Sequence, residues 1–279
     1  VYVIDDEERL KGVLPLKKLI TSPSASKIKY VMKTEPISVK DNDPIEEVAE
    51  KIEKYDLVAL PVVDSIGRLV GRITIDDVID EIREQHERDY QLASGISQDI
   101  EASDKVYMQT AARLPWLLIG MAGGLANSIL LGGFDSLFAA NPKMALFIPL
   151  IGGTGGNVGI QSSAIVVQGL ANNSLKQAKL WSLIAKEVVV ALINASIISL
   201  VVFLFNYFFL GDVLVMSAVS ISLFSVVLFA SIFGTMVPML LDRLKIDPAI
   251  ATGPFITITN DLIGMMIYML VATLLAQAL

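Results

Sequence analysis

From Val1 to Arg113 the chain mixes short apolar runs with charged stretches, and from Leu114 onward it is almost wholly apolar. Five apolar segments follow that change, at 115–133, 144–170, 182–210, 213–240 and 249–278. A helix crosses a bilayer with about 20 apolar residues, so each reads as a candidate span, the first a short one. The third and fourth are separated only by Gly211 and Asp212. Before Leu114 a strand, a turn, a second strand and a helix recur at an offset of 59 residues, Val3 to Val62. Val3-Ile4-Asp5 returns as Val62-Val63-Asp64, Arg9-Leu10 as Arg68-Leu69, and Gly12 as Gly71. The second copy runs from Lys29 to Arg83. The first lacks its opening half, so the chain is expected to begin inside a repeat. The pattern predicts a membrane α-helical module of five transmembrane helices behind a soluble α/β module.

Composition supports that division. The 279 residues are 53% hydrophobic with a mean hydropathy of +0.61, too apolar for an ordinary soluble domain. Before Leu114 there are 16 Lys/Arg and 23 Asp/Glu, and after it 6 and 6, so the net charge of −7 belongs to the first part. Lys105, Arg113, Lys176, Lys179, Lys186, Arg243 and Lys245 fall on one side of the five segments, and only Lys143 on the other. By the positive-inside rule the soluble module is cytoplasmic and the C-terminus outside, in the cell inner (plasma) membrane. No nucleic-acid partner is expected. The chain has no cysteine, which excludes disulfides and thiolate metal sites. Its one histidine, His86, excludes a His-rich centre and reads as a solvated helix residue. The chain opens on Val1 without a signal-peptide pattern, as expected of the C-terminal part of a longer protein or a shortened form of one.

Polar residues inside the apolar segments carry the candidate chemistry. Asp261 lies near the middle of the fifth, with no other acid or base between Asp247 and the C-terminus. An ionisable group there is expensive and marks a bundle interior or a water-filled path by default. Gly253, Thr257, Asp261, Gly264 and Tyr268 recur at spacings of four, four, three and four, one helical face. A protonated Asp261 hydrogen-bonded to a neighbouring helix is the structural alternative. The second segment carries Gly152, Gly153, Gly155, Gly156 and Gly159, with Asn157, Gln161, Ser162 and Ser163 beside them. Glycine at that density serves either close helix packing or a path lined by accessible backbone. The weaker run around Asn127 and Ser128 reads as packing. Glu187 beside Lys186 reads as an ion pair or an interfacial residue, and Asp247 as a helix N-cap, a carboxylate at the pore mouth, or both. Mg²⁺ keeps much of its water and takes only one or two carboxylates, so a symmetric dimer sharing two copies of Asp261 suits it.

The segment from Asp76 to Asp104 holds 10 acids against two bases, Arg83 and Arg88. A solvated helix is the usual meaning of such a run. It also leads directly into the apolar part, and its carboxylates repel one another unless cations neutralise them. Divalent-ion binding there is therefore an expectation.

The stretch VMKTEPISVKDNDPIEEVAEKIEKYDLVALPVVDSIGRLVGRITIDDVIDEI resembles a CBS domain. Gly71, Thr74 and Asp77 fit that family's nucleotide signature, which implies that Thr74 contacts phosphate and Asp77 the ribose hydroxyls of ATP or another adenine nucleotide. The alternative is a turn and a helix cap. The first copy has Pro15 and Lys18 at the equivalent positions and is not expected to form the site. With RLPWL, GGTGGNVGIQSS, DPAIATGPF and NDLIG in this order, the whole chain resembles the MgtE family of magnesium channels. The resemblance implies a homodimer embedded in membrane lipid, a Mg²⁺ pore lined by both copies of the second and fifth segments, and closure by cytoplasmic Mg²⁺. It implies Asp261, Asn157 and Asp247 as pore metal residues, with Gly152, Gly155, Gly156, Thr257 and Gly264 lining the path. It implies Asp56, Asp77, Asp80, Glu84, Glu87 and Asp89 as regulatory metal residues. Gln85 and Arg88 stand where some relatives carry acids. The expected division is 1–28, half a CBS motif; 29–83, a complete one; 84–112, an acidic connecting helix; and 113–279, the pore domain. A proton- or sodium-coupled transporter is the alternative. An intramembrane aspartyl protease lacks its second deep aspartate, so no enzyme is expected.

Overall fold

Two short hairpins organise the first part of the chain. β1 (Tyr2–Ile4) and β2 (Leu10–Val13) pair antiparallel, followed by α1 (Leu16–Thr21) and α2 (Ile28–Val31), and β3 (Lys33–Thr34) joins the β2 edge. β4 (Val39–Lys40) and α3 (Ile45–Lys54) open the second copy, and β5 (Ala59–Val63), β6 (Leu69–Thr74) and α4 (Ile75–Ala93) complete it. β4 lies parallel to β5, and β5 antiparallel to β6. The computed structural model describes residues 1–171 and 180–278 and divides into two units, Val1–Glu87 and Arg88–Leu279.

The sequence repeat is a repeat of register. Val3 faces Gly12 and Ile4 faces Leu10 across a bulge, as Val62 faces Gly71 and Val63 faces Leu69. Both turns are built by one aspartate: Asp5 Oδ1 accepts from the N–H groups of Glu7 and Arg9, and Asp64 Oδ1 from those of Ile66 and Arg68. The two hairpins meet at an Arg9–Arg68 bridge, with Leu10 N–H bonded to Gly67 O and Leu69 N–H to Glu8 O. Exchanging the copies exchanges those two bonds, so the hairpins are related by a local two-fold. Val48 and Ile52, one turn apart on α3, pack with Val39, Leu60 and Val78 into the core of this unit. α3 stops in a Schellman motif, with Asp56 at φ 50° and Leu57 N–H bonded to Ile52 O at 3.0 Å.

α4 ends in the same motif. Gly95 takes φ 77°, its N–H bonds to Leu92 O, and Ile96 N–H bonds to Gln91 O. This corrects the single connecting helix expected over 84–112: the glycine ends α4, and an irregular stretch of 94–105 precedes the next helix. That stretch is held by side chains. Ser97 bonds Ala112 O through both its N–H and its hydroxyl, and the Gln91 amide spans the N–H and C=O of Ile100.

The remaining helices are α5 (Val106–Gly132), α6 (Asp135–Ala140), α7 (Ile148–Ala171), α8 (Leu180–Phe209), α9 (Val213–Arg243) and α10 (Pro254–Ala278). α9 is central, packed against α7, α8 and α10, while α5 packs on α10. The core joins Ile151 of α7, Ala195 of α8, Leu223 and Val227 of α9, and Met265 and Tyr268 of α10. Among the described helices α5, α8, α9 and α10 are long and apolar enough to cross a membrane. α7, expected as a fifth, is 24 residues long and uncharged, but its glycines, Asn157 and Gln161 dilute its hydropathy below that of the other four. Lys176 and Lys179, two of the bases used for orientation, lie outside the described residues.

Candidate functional site

The site is built where α7 meets α10. Asp247 accepts from Ala249 N–H at 2.8 Å and so caps the short 3-10 turn Pro248–Ala251. Gly253 follows at φ 59°, a backbone that favours glycine, and a Cβ there would overlap the Ala93 carbonyl. Pro254 opens α10, where its missing N–H costs nothing. Thr257 returns its hydroxyl to Gly253 O at 3.0 Å, which leaves its methyl toward α7.

α7 and α10 run antiparallel. Tyr268 donates to Met144 O at 2.9 Å at one end, Asp261 lies opposite Gly152, Thr257 opposite Gly156, and Ile256 opposite Gly159. A methyl on Gly152 would stand 3.4 Å from Asp261 Oδ1, and one on Gly156 3.2 Å from Thr257 Cγ2 and 3.6 Å from Asp261 Oδ1. Glycine thus leaves the α7 backbone facing the carboxylate with no side chain between them, and the tight approach is that of Gly156 to the Thr257 methyl. Asn260 lies fully buried beside Asp261 and donates from Nδ2 to Gly155 O at 3.3 Å. Gly264 rests against Val226 of α9.

Asp261 Oδ1 is buried and has no hydrogen-bond partner among the described residues. A carboxylate oxygen left so in an apolar surround is costly, which makes the position a cation-attracting one. The structure brings Asp261, Gly152, Gly156 and Thr257 together, with Gly155 and Gly264 on the same packed seam. It does not add Asn157 or Asp247 to them. Asn157 is exposed on another face of α7, in line with Gly153 and Gln161, and Asp247 is exposed at the turn before α10.

Glu187, read from sequence beside Lys186, reaches a junction of three helices. Its Oε1 accepts from Ser162 of α7 at 2.7 Å and, by a short bond, from Ser231 of α9. The pairing could not be found from spacing, because the partners are 25 and 44 residues away.

In the first unit Thr74 and Asp77 form a reciprocal cap of α4. Asp77 Oδ2 accepts from the Thr74 hydroxyl at 2.5 Å and from Thr74 N–H at 2.9 Å. The hydroxyl and then the N–H hold the Asp77 carboxyl below its usual range. Gly71 of β6 has open space where a side chain would stand, whereas the space at Gly12 is filled by Met32 and the Lys33 carbonyl. Asp80, Glu84 and Glu87 continue from Asp77 along one face of α4, where Glu87 pairs with Arg83 at 3.1 Å. Asp89 follows on the same helix, and Asp56 is the left-handed residue closing α3. Among the described residues the acids of α4 are strung along the helix, Asp56 stands apart at the end of α3, and no group of three His, Cys, Asp or Glu converges on a metal position.

A family profile described as a divalent cation transporter, MgtE, matches residues 148–271, which include both α7 and the Asp261 stretch of α10. A CBS domain profile matches residues 28–84. The chain is 33% identical over 279 residues to the magnesium transporter MgtE of Bacillus subtilis and 34% over 284 residues to that of Thermus thermophilus. The chain is similar to MgtE magnesium transporters along its whole length. All of this chain aligns with each of those two relatives and spans 62% of their length. The solved cytosolic domain of a Mg²⁺ channel MgtE in complex with ATP shares 44% identity, covering 29% of this chain and 32% of that one, with a TM-score of 0.28. MgtE proteins are divalent cation transporters rather than enzymes, and α7 with the part of α10 that carries Asp261 lies inside the matched MgtE region.

Proposed function

We propose that this chain moves Mg²⁺ across the cell inner (plasma) membrane along a path lined by α7 and α10. One observation carries the reading: a buried Asp261 oxygen without a donor among the described residues, set against glycine backbone in the middle of an apolar helix. Mg²⁺ sheds water reluctantly, so one carboxylate attracts the hydrated ion while its water bonds to nearby oxygens. Two copies in a homodimer double that charge on a shared axis and place the exposed Asn157 faces along the same path. α7 serves as a fifth span beside α5, α8, α9 and α10. The bases at Arg113, Arg243 and Lys245 put the soluble unit inside, and an odd number of spans puts the C-terminus outside. Asp247 stands at the inner mouth.

The divisions 1–28, 29–83, 84–112 and 113–279 act in this reading as half a CBS motif, a whole one, an acidic connection and a pore. Cytoplasmic Mg²⁺ binding at Asp56, Asp77, Asp80, Glu84, Glu87 and Asp89 closes the path, because it relieves repulsion among carboxylates that otherwise hold these parts apart. The open space at Gly71, beside Thr74 and Asp77, supports binding of an adenine nucleotide.

The test is Mg²⁺ uptake into liposomes carrying the purified chain, wild type against Asp261→Asn and Asp261→Ala. Both variants are expected to lose most of the flux, and unchanged flux in both would remove Asp261 from the path. Reversal potentials that follow the Mg²⁺ gradient alone support a channel, whereas dependence on a proton or Na⁺ gradient supports a coupled transporter.

A further inference from the structure

Among the six acids after Leu114, Glu187 and Asp261 lie more than a turn inside long helices. The transport reading uses Asp261 and leaves Glu187 without a part. Glu187 joins three elements. Ser162 of α7 and Ser231 of α9, 6% and 2% exposed, stand 3.1 Å apart, and both donate to the same oxygen of the α8 carboxylate. A carboxylate oxygen has two lone pairs, so one atom satisfies both hydroxyl protons.

The place of this junction on α7 matters. Three residues before Ser162 is Gly159, whose backbone lies against Gly234 of α9 so closely that a side-chain carbon on Gly234 would overlap the Gly159 carbonyl. Gly155, a further turn back, accepts from Asn260, the neighbour of Asp261. Gly152 and Gly156 face Asp261 itself. A helix face made of glycine lacks the side-chain ridges that lock two helices in register, so packing alone fixes its rotation weakly. A directional polar contact at the end of that face supplies what the glycines cannot.

We propose that Glu187 is a positioning residue: with Ser162 and Ser231 it fixes the rotation of α7, and thereby the placement of the glycine face against Asp261. The proposal rests on the transport reading for its activity readout. What the joint requires of residue 187 is an acceptor oxygen, not a charge that meets the ion.

The chain has no cysteine, so pairs of introduced cysteines report without background. Spin labels at Ile165→Cys on α7 and Leu274→Cys on α10, both exposed, read the α7–α10 distance, alongside Mg²⁺ uptake in liposomes. Glu187→Ala is expected to shift or broaden that distance and lower uptake about tenfold, whereas Glu187→Gln, which keeps the acceptor oxygen, stays within about threefold of wild type in uptake and keeps the distance. The Ser162→Ala/Ser231→Ala pair is expected to match Glu187→Ala, and it carries the test should Glu187→Ala fail to fold. An unchanged distance in both Glu187→Ala and the serine pair overturns the proposal. So does a Glu187→Gln that loses uptake as fully as Glu187→Ala with its distance intact, since the charge itself would then act on the ion. A wild-type chain without Mg²⁺ uptake removes the transport reading and leaves the distance measurement to decide the joint.

Discussion

A carboxylate in an apolar helix is stabilised by a proton, a donor or a cation, and for Asp261 Oδ1 the described residues supply no donor. In Asp261→Asn the shape remains and the attraction for a cation goes. A loss of about 3 kcal/mol in holding the ion corresponds to about a hundredfold in occupancy, read as Mg²⁺ uptake against concentration. The glycines around it are not equivalent. A Cβ on Gly159 would land on Asn260 Nδ2 and 2.6 Å from Ile256 Cγ2, whereas none of the described residues lies within 4 Å of one on Gly153. Gly159→Ala is therefore expected to destabilise the protein by about 1–3 kcal/mol in detergent unfolding, from overpacking. Gly153→Ala is expected to be neutral or stabilising by up to about 1 kcal/mol, the helix-propensity gain. Asp261 and the glycine run were legible in the sequence because a lone charge and a cluster of small residues stand out against apolar neighbours. Which glycines touch the carboxylate was not legible, since a five-glycine run has no preferred face until α9 and α10 pack on it. Asn260 finds its acceptor 105 residues away, a distance no local pattern spans.

At the scale of elements the soluble hairpins kept the repeat to the residue, because an Asp at the turn fixes the strand register on each side. The T-x-x-D spacing at Thr74 folds into a helix cap, the structural alternative to a nucleotide contact, and a cap does not prevent the other Asp77 oxygen from meeting a ligand. Its carboxyl is held low by the Thr74 hydroxyl, and those of Asp5 and Asp43 are held low mainly by the N–H groups of Arg9 and Lys40. A depressed folded-state pKa contributes stability above the unfolded value and loses it as pH falls through the folded value. Protection factors of the β5 and β6 amides, with intrinsic exchange divided out, are expected to fall as pH drops below the ordinary Asp value of about 3.9. Thr74→Ala is expected to flatten the part of that dependence belonging to Asp77, and an unchanged profile would refute the assignment. The charge pattern of the acidic segment is continuous and predicts one helix. Gly95 breaks it, because glycine adopts the left-handed φ that closes a helix more readily than any other residue.

For the molecule as a whole the strongest expectation is its orientation. Lys143 pairs with Asp212 at 3.7 Å, so the turns before α7 and before α9 share one end of the helical unit. Gly253 lies against Ala93, and Gly95 against Pro254 and Trp116, at the start of α10 and near the start of α5. With no cysteine in the chain, Lys143→Cys is expected to react with a membrane-impermeant maleimide added outside cells, and Lys245→Cys only after permeabilisation. The reverse pattern would overturn the orientation. Composition and periodicity are properties of neighbours along the chain, and they suffice for the division into a charged part and an apolar part, for the repeat, and for Asp261 as an outlier. Packing in three dimensions is what sets α9 at the centre, keeps Asn157 and Asp247 apart from Asp261, and brings Glu187 to two serines on other helices. In a bilayer apolar helices gain nothing from hiding one apolar face rather than another, so close packing and a few polar contacts choose the partners, and both need three dimensions to be seen.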